Sequence, residues 1–171
     1  GGGLIFINAG LVKLCEKEVE LACVIAHEIG HIENRHAVKG ILAQAVRKNI
    51  DLPLEPSKTG KEDNQAFYDW HLFMAGRGYT RHWEYQADAF IVHAFRKAGY
   101  PVSESGAFFK LLARRSGTAA KESVYSCLFS THPANQDRLK RVESIAGTYP
   151  DVSPKPESRE FLLLKELVQK L

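Results

Sequence analysis

The sequence is short of several things, and each shortage excludes a class of protein. Three cysteines among 171 residues are too few, and odd in number, for a disulfide-built scaffold. Were Cys15 and Cys23 on one helix, eight residues at ~1.5 Å each would hold them about 12 Å apart, beyond bridging distance. Neither sign of charge dominates: 23 Lys and Arg stand against 20 Asp and Glu, a net +3, spread too evenly for a nucleic-acid-binding face. No apolar run approaches the ~20 residues of a membrane helix, so the piece is expected to be soluble and to carry no span. No phosphate-cradling glycine loop is present, which counts against nucleotides. Methionine occurs only at Met74 and residue 1 is glycine, as expected of a processed product or an excised piece that has lost any leader or lipid anchor.

What is there is ordinary in composition, 44% hydrophobic and 25% charged, and fits one globular domain with a short appendage. Leu4-Ile5-Phe6-Ile7 reads as a short strand closed by Asn8-Ala9-Gly10. From about Glu16 to Lys48, apolar residues recur at helical spacing (Val19, Ala22, Cys23, Ala26, Ile29, then Ile41, Leu42, Ala45). This predicts one long helix, or two broken near Gly40. Residues 51–63 form a polar loop with Pro53 and Pro56, and Asn64 to Arg77 is read as helical. Arg81 to Ala98 is a second strong helix, closed by Gly99 and Pro101. Ser103 to Arg115 is a third, with Ser103 as its cap. Another starts at His132-Pro133 and is carried by Leu139, Val142 and Ile145. The expected division is a domain over 1–149, a proline-rich linker over 150–156, and an amphipathic helix over 157–171. That helix lines up Phe161, Leu164, Val168 and Leu171 for packing or for docking a protein partner.

The chemistry is concentrated in His27-Glu28-Ile29-Gly30-His31. Residues four apart on a helix share a face, about 6 Å apart along the axis, so the two imidazoles can converge on one Zn²⁺. Glu28, about 100° round the helix, then stands beside the open position of the ion. With seven histidines in the chain, accidental matches are expected on the order of 0.02 per sequence. A catalytic zinc takes a third protein ligand and keeps one site open. Glu84 and Asp88, four apart on the second strong helix, offer that ligand and an acceptor for the outer N–H of a ligand imidazole. Taken on spacing alone, they are equally an ordinary solvated acidic pair.

HEIGH, then Glu84-Tyr85-Gln86-Ala87-Asp88, then Thr131-His132-Pro133 with Arg138 five residues beyond, resemble the HtpX and CAAX-prenyl-protease type of metallopeptidases, family forty-eight. Gly2 to Phe6 with Gly10-Leu11-Val12 is similar to the strand and turn before that family's zinc helix. The resemblance covers residues 1 to about 145. It implies an α+β, predominantly α-helical fold of the zincin-like gluzincin kind, with a small sheet beside the zinc helix. It implies one zinc per chain, held by His27, His31 and Glu84, with Glu28 as catalytic base and Asp88 in support. For His132 and Arg138, three roles stay open: hydrogen bonding to the oxyanion of the tetrahedral intermediate, a fourth zinc position taken by His132, or a structural cap on the last core helix.

The activity expected is zinc-dependent endoproteolysis, with misfolded or misassembled proteins as substrates. Such a polypeptide would be held extended beside Leu4 to Ile7, since backbone pairing at a sheet edge is largely indifferent to sequence. The alternative is a zinc-stabilised chaperone or binding module with residual proteolysis. The place expected is the bacterial periplasm or a membrane tether in the envelope. Residues 50–80, with Gly76 and Gly78 as a hinge, are either a lid or a passive excursion. His36 and His93 are expected to point away from the ligand faces, and Cys23 to pack as a small buried residue.

Overall fold

The structure, a computed structural model, describes residues 3–48, 81–115 and 136–170. The expected loop at 51–63, the helix at 64–77, the lid and His132-Pro133 all lie outside those residues. Among the described residues there are helices and no strand. Leu4 to Asn8 carries neither, because a strand exists only through a hydrogen-bonded neighbour. The small sheet expected beside the metal helix therefore has no counterpart among them. Asn8, expected to close a strand, instead opens a helix. Its side chain accepts the Gly10 N–H at 2.7 Å and caps α1, Ala9–Leu14, a role for which asparagine is among the best residues.

Helix α2 is Glu18–Glu33. Glu20, 2% exposed, reaches back to accept the N–H groups of Glu16 at 2.6 Å and Lys17 at 3.0 Å, which satisfies donors that a helix start leaves over. Helix α3, His36–Lys48, follows a break at Asn34 and Arg35, not at Gly40, which lies inside α3. Asn34 Nδ2 donates to the carbonyl of Gly30 at 2.8 Å, beside the Asn34 backbone N–H at 3.1 Å, and ties off the helix end. Arg35 then takes a φ of 54° and turns the chain.

Helix α4 is Arg81–Ala98. It ends as expected: Gly99 adopts φ 72°, the Tyr100 N–H reaches the Phe95 carbonyl at 2.9 Å, and the two rings pack with centroids 5.3 Å apart, a glycine-closed helix end with its hydrophobic contact. After a tight 3₁₀ turn at Val102–Glu104, α5 runs Ala107–Arg115, so the α-helix begins four residues after Ser103. Helix α6 is Gln136–Ala146 and α7 is Arg159–Gln169.

Helix α2 is the central element, packed on α4 and α5, while α6 packs on α4 and α7 on α1. The main core gathers Leu11, Leu14, Leu21, Ala26, Ile91, Phe95 and Leu111, each side chain worth up to ~1.5–3 kcal/mol when fully buried. A second cluster of Val92, Val102, Val142 and Ala146 joins α6 to α4. Phe161 and Val168 of α7 are buried in the main core. Lys165 Nζ donates to the carbonyls of Val12, Lys13 and Cys15 at 3.1, 3.0 and 2.6 Å, closing the end of α1 with a cation where the helix dipole favours one.

The contact that places the site is between α2 and α4. A Cβ added at Gly30 would stand 2.9 Å from both the Cα and the carbonyl oxygen of Ala87. The two backbones thus touch, which only glycine on α2 allows. Histidines of α2 on one side of the crossing then face carboxylates of α4.

Candidate metal centre

His27 and His31, one turn apart on α2, and Glu84 on α4 bring their ligand atoms within 4.8 Å of one another, all three buried. His27 Nε2 lies 3.0 Å from His31 Nε2 and 3.5 Å from Glu84 Oε2, and His31 Nε2 lies 3.4 Å from Glu84 Oε1. A tetrahedral ion with bonds of ~2.0–2.1 Å has ligand–ligand edges of about 3.3–3.4 Å. The His–Glu84 contacts, one to each carboxylate oxygen, lie near that length and the His27–His31 contact is shorter, so the three groups crowd the space that one such ion would fill. The chemistry of the donor set suits an ion: each ring can present an unprotonated nitrogen and the carboxylate accepts, so the three can share one cation.

The outer nitrogens fix which way the rings present themselves. His27 Nδ1 lies 3.0 Å from Asp88 Oδ1, so its proton belongs on Nδ1 and its lone pair on Nε2. Burial disfavours the imidazolium of His27, but hydrogen bonds and charge attraction from Asp88 and Glu84 outweigh it and push its pKa up to about 9. A proton thus holds the place of the cation in the metal-free chain. Burial works against the Asp88 carboxylate too, yet Arg138 and His27 hold its pKa below the ordinary value.

Arg138, 4% exposed on α6, grips Asp88 with two bonds, Nε to Oδ2 at 2.7 Å and Nη2 to Oδ1 at 2.6 Å, and reaches Glu84 Oε2 with Nη1 at 2.8 Å. One guanidinium therefore spans both acids of the ExxxD helix, the fork geometry that arginine alone provides. These contacts align Glu84 and Asp88, a role that was not among those left open for Arg138 on the sequence. Glu28 is half-buried on α2 between the two ligand histidines. His132 lies outside the described residues.

His36 stands elsewhere than the helical spacing places it. His36 was expected to point away from the ligand pair, on the premise of an unbroken helix. The break at Asn34 and Arg35 carries it back: His36 is 0% exposed, with Nδ1 2.9 Å from His31 Nδ1 and Nε2 2.9 Å from Gln86 Oε1. Asparagine four residues after a helix glycine was the available signal, since asparagine favours helix ends. His93 is exposed, as expected. Cys23 is buried with Sγ 3.3 Å from the Ser105 carbonyl, and burial pushes its thiol up to about 12, so it packs rather than reacts.

Two crossed helices, one bearing HExxH and the other ExxxD, thus bring two histidines and a carboxylate together at a candidate metal site. The chain matches peptidase family M48 over residues 1–146, and it belongs to that family. It is 30% identical, over 91% of its length, to a Vibrio cholerae protein provisionally named a beta-barrel assembly-enhancing protease. It is 23% identical over 83% of its length to the mitochondrial metalloendopeptidase OMA1 of Schizosaccharomyces pombe. It is 27% identical over 78% of its length to CAAX prenyl protease 1 homolog of Arabidopsis thaliana. The chain spans only 33%, 41% and 35% of these three relatives' own lengths.

Proposed function

We propose that this chain is a zinc-dependent endopeptidase, with His27, His31 and Glu84 holding the ion and Glu28 acting as general base. The observation that carries the reading is the convergence of two imidazoles and a carboxylate, all buried, with ligand atoms within 4.8 Å of one another. When bound, the ion supplies Lewis acidity toward a substrate carbonyl and lowers the pKa of water toward ~7. The chain's own residues do the rest. Glu28 takes a proton from the attacking water and passes it to the departing amine. Asp88 holds His27 in the tautomer that leaves Nε2 unprotonated, and Arg138 keeps the Asp88 carboxyl ionised and holds both Asp88 and Glu84 in place.

The substrate class in this proposal is unfolded or misassembled polypeptide, taken in extended form along Leu4 to Ile7. In support, Leu4 and Phe6 are 75% and 71% exposed, and two of the relatives carry names that refer to β-barrel assembly. Closed β-barrels of that kind belong to the bacterial outer membrane, which supports the envelope as the place of action. No described helix is long and apolar enough to cross a membrane.

The test is zinc analysis of the purified protein, together with digestion of an unfolded protein such as casein by the wild type and by Glu28→Gln. The expected result is one zinc per chain in both and loss of cleavage in the variant. Cleavage unchanged by Glu28→Gln would remove Glu28 from the mechanism, and a metal-free wild type at saturating zinc would end the metal reading.

A further inference from the structure

We propose that His36 is a positioning residue for the metal centre, accepting the Nδ1 proton of His31 and thereby turning the Nε2 lone pair of His31 toward the ion. The inference rests on the metal reading above and goes beyond it, since the sequence pattern gives His36 no part in the site.

His31 meets His27 and Glu84 through Nε2, so it ligates from that atom only in the tautomer that carries its proton on Nδ1. At 3% exposure, that proton needs an acceptor within the protein. His36 Nδ1 is 2.9 Å away. For His36 to accept there, its own proton must sit on Nε2, which is 2.9 Å from Gln86 Oε1. A carbonyl oxygen only accepts, so Gln86 sets the direction of the whole relay: His31 donates to His36, and His36 donates to Gln86. The His36 ring is clamped as well, stacked on Trp83 at 5.2 Å and 7° and set edge-on to His31 at 4.9 Å. Each ligand imidazole is thus backed from behind, His27 by the carboxylate of Asp88 and His31 by a neutral relay that crosses from α3 to α4.

The test compares zinc affinity, by competition with a chromophoric chelator, in the wild type, His36→Phe and His36→Asn, with thermal melts of the metal-free proteins. Phenylalanine keeps the stack on Trp83 and removes the acceptor, while asparagine places an acceptor oxygen near the position of Nδ1. His36→Phe is expected to lose about 10- to 100-fold in zinc affinity, the usual effect of deleting an outer partner of a ligand histidine, and His36→Asn to recover most of it. If His36→Phe does not fold, Gln86→Leu decides, with a smaller loss in the same direction expected. Wild-type affinity in His36→Phe, or in Gln86→Leu in its place, overturns the inference, as does equal weakening by asparagine and phenylalanine. A wild type that binds zinc while these results appear sinks the inference alone, whereas a wild type that binds none sinks the metal reading and takes the inference with it.

Discussion

Gly30 and Ala87 meet backbone to backbone: the Cα and carbonyl oxygen of Ala87 stand 2.9 Å from where a Gly30 Cβ would be. Neither atom belongs to a side chain that can swing aside, so Gly30→Ala must push α2 away from α4. A cost of about 1–3 kcal/mol is expected, the range for overpacking a well-filled contact, together with weakened zinc binding as Glu84 draws away from the histidines. Gly40→Ala is the control. There, among the described residues, a Cβ meets only the Trp83 ring, at 3.6 Å and beyond, and alanine in a helix interior gains roughly 0.5–1 kcal/mol over glycine. Urea unfolding of the two variants should move in opposite directions.

Arg138 serves two buried acids at once. Removing it by Arg138→Met leaves Asp88 and Glu84 without their guanidinium, and breaking a buried pair in this way costs about 3–5 kcal/mol. Lysine, a point charge, cannot make the fork to Asp88 and the bond to Glu84 together. Arg138→Lys is therefore expected to remain well below the wild type in both melting temperature and zinc affinity. Full recovery in the lysine variant would show that charge alone, without the fork, suffices.

Acidity should act on metal capture through His27. Its pKa of about 9 in the metal-free chain means that an incoming ion displaces a proton at neutral pH. Apparent zinc affinity is thus expected to rise about tenfold per pH unit up to ~9 and to flatten above it. The stability of the metal-free protein runs the other way. A histidine whose folded pKa lies above its ordinary value of 6.5 stabilises fully below 6.5, and that contribution fades as pH rises through 9. Chelator competition and urea unfolding across pH 6–9.5 measure both trends.

Lys165 closes the end of α1 from α7 through three carbonyls. Charge-assisted hydrogen bonds of this kind are worth about 1.5–3 kcal/mol each where buried, and less where water competes. Lys165→Met, which keeps most of the aliphatic stem, is expected to lower stability by roughly 1–3 kcal/mol in total and to leave zinc affinity near that of the wild type, as measured on the folded protein.

Much of this was legible beforehand because it is local. The one-turn spacing of His27 and His31, the four-residue spacing of Glu84 and Asp88, and the stop at Gly99 each depend on helix geometry alone. The misreadings arose where short-range competition outweighed pattern. Asn8 had the apolar run Leu4 to Ile7 before it, and that run made a strand the natural reading; its capping bond to Gly10 opened a helix instead. Periodicity registers apolar residues such as Ile29 and Ile41 and is blind to the polar pair between them, so it could not see the Asn34 side chain reaching the Gly30 carbonyl or the turn at Arg35. His36 followed from that turn and was lost with it. The placement of Arg138 on both acids is a contact between distant helices, for which spacing carries no information.

The donors of the centre are divided between helices that come together only after the chain between them has been closed. An unfolded chain offers little beyond a pair of histidines, so an ion that takes all three groups binds the finished fold in preference. Such selective binding adds ~2.7 kcal/mol at a hundredfold excess of free ion over its dissociation constant. The lifetime of this protein in a cell would therefore be metered by zinc supply, with scarcity thinning its numbers as well as idling the copies that remain.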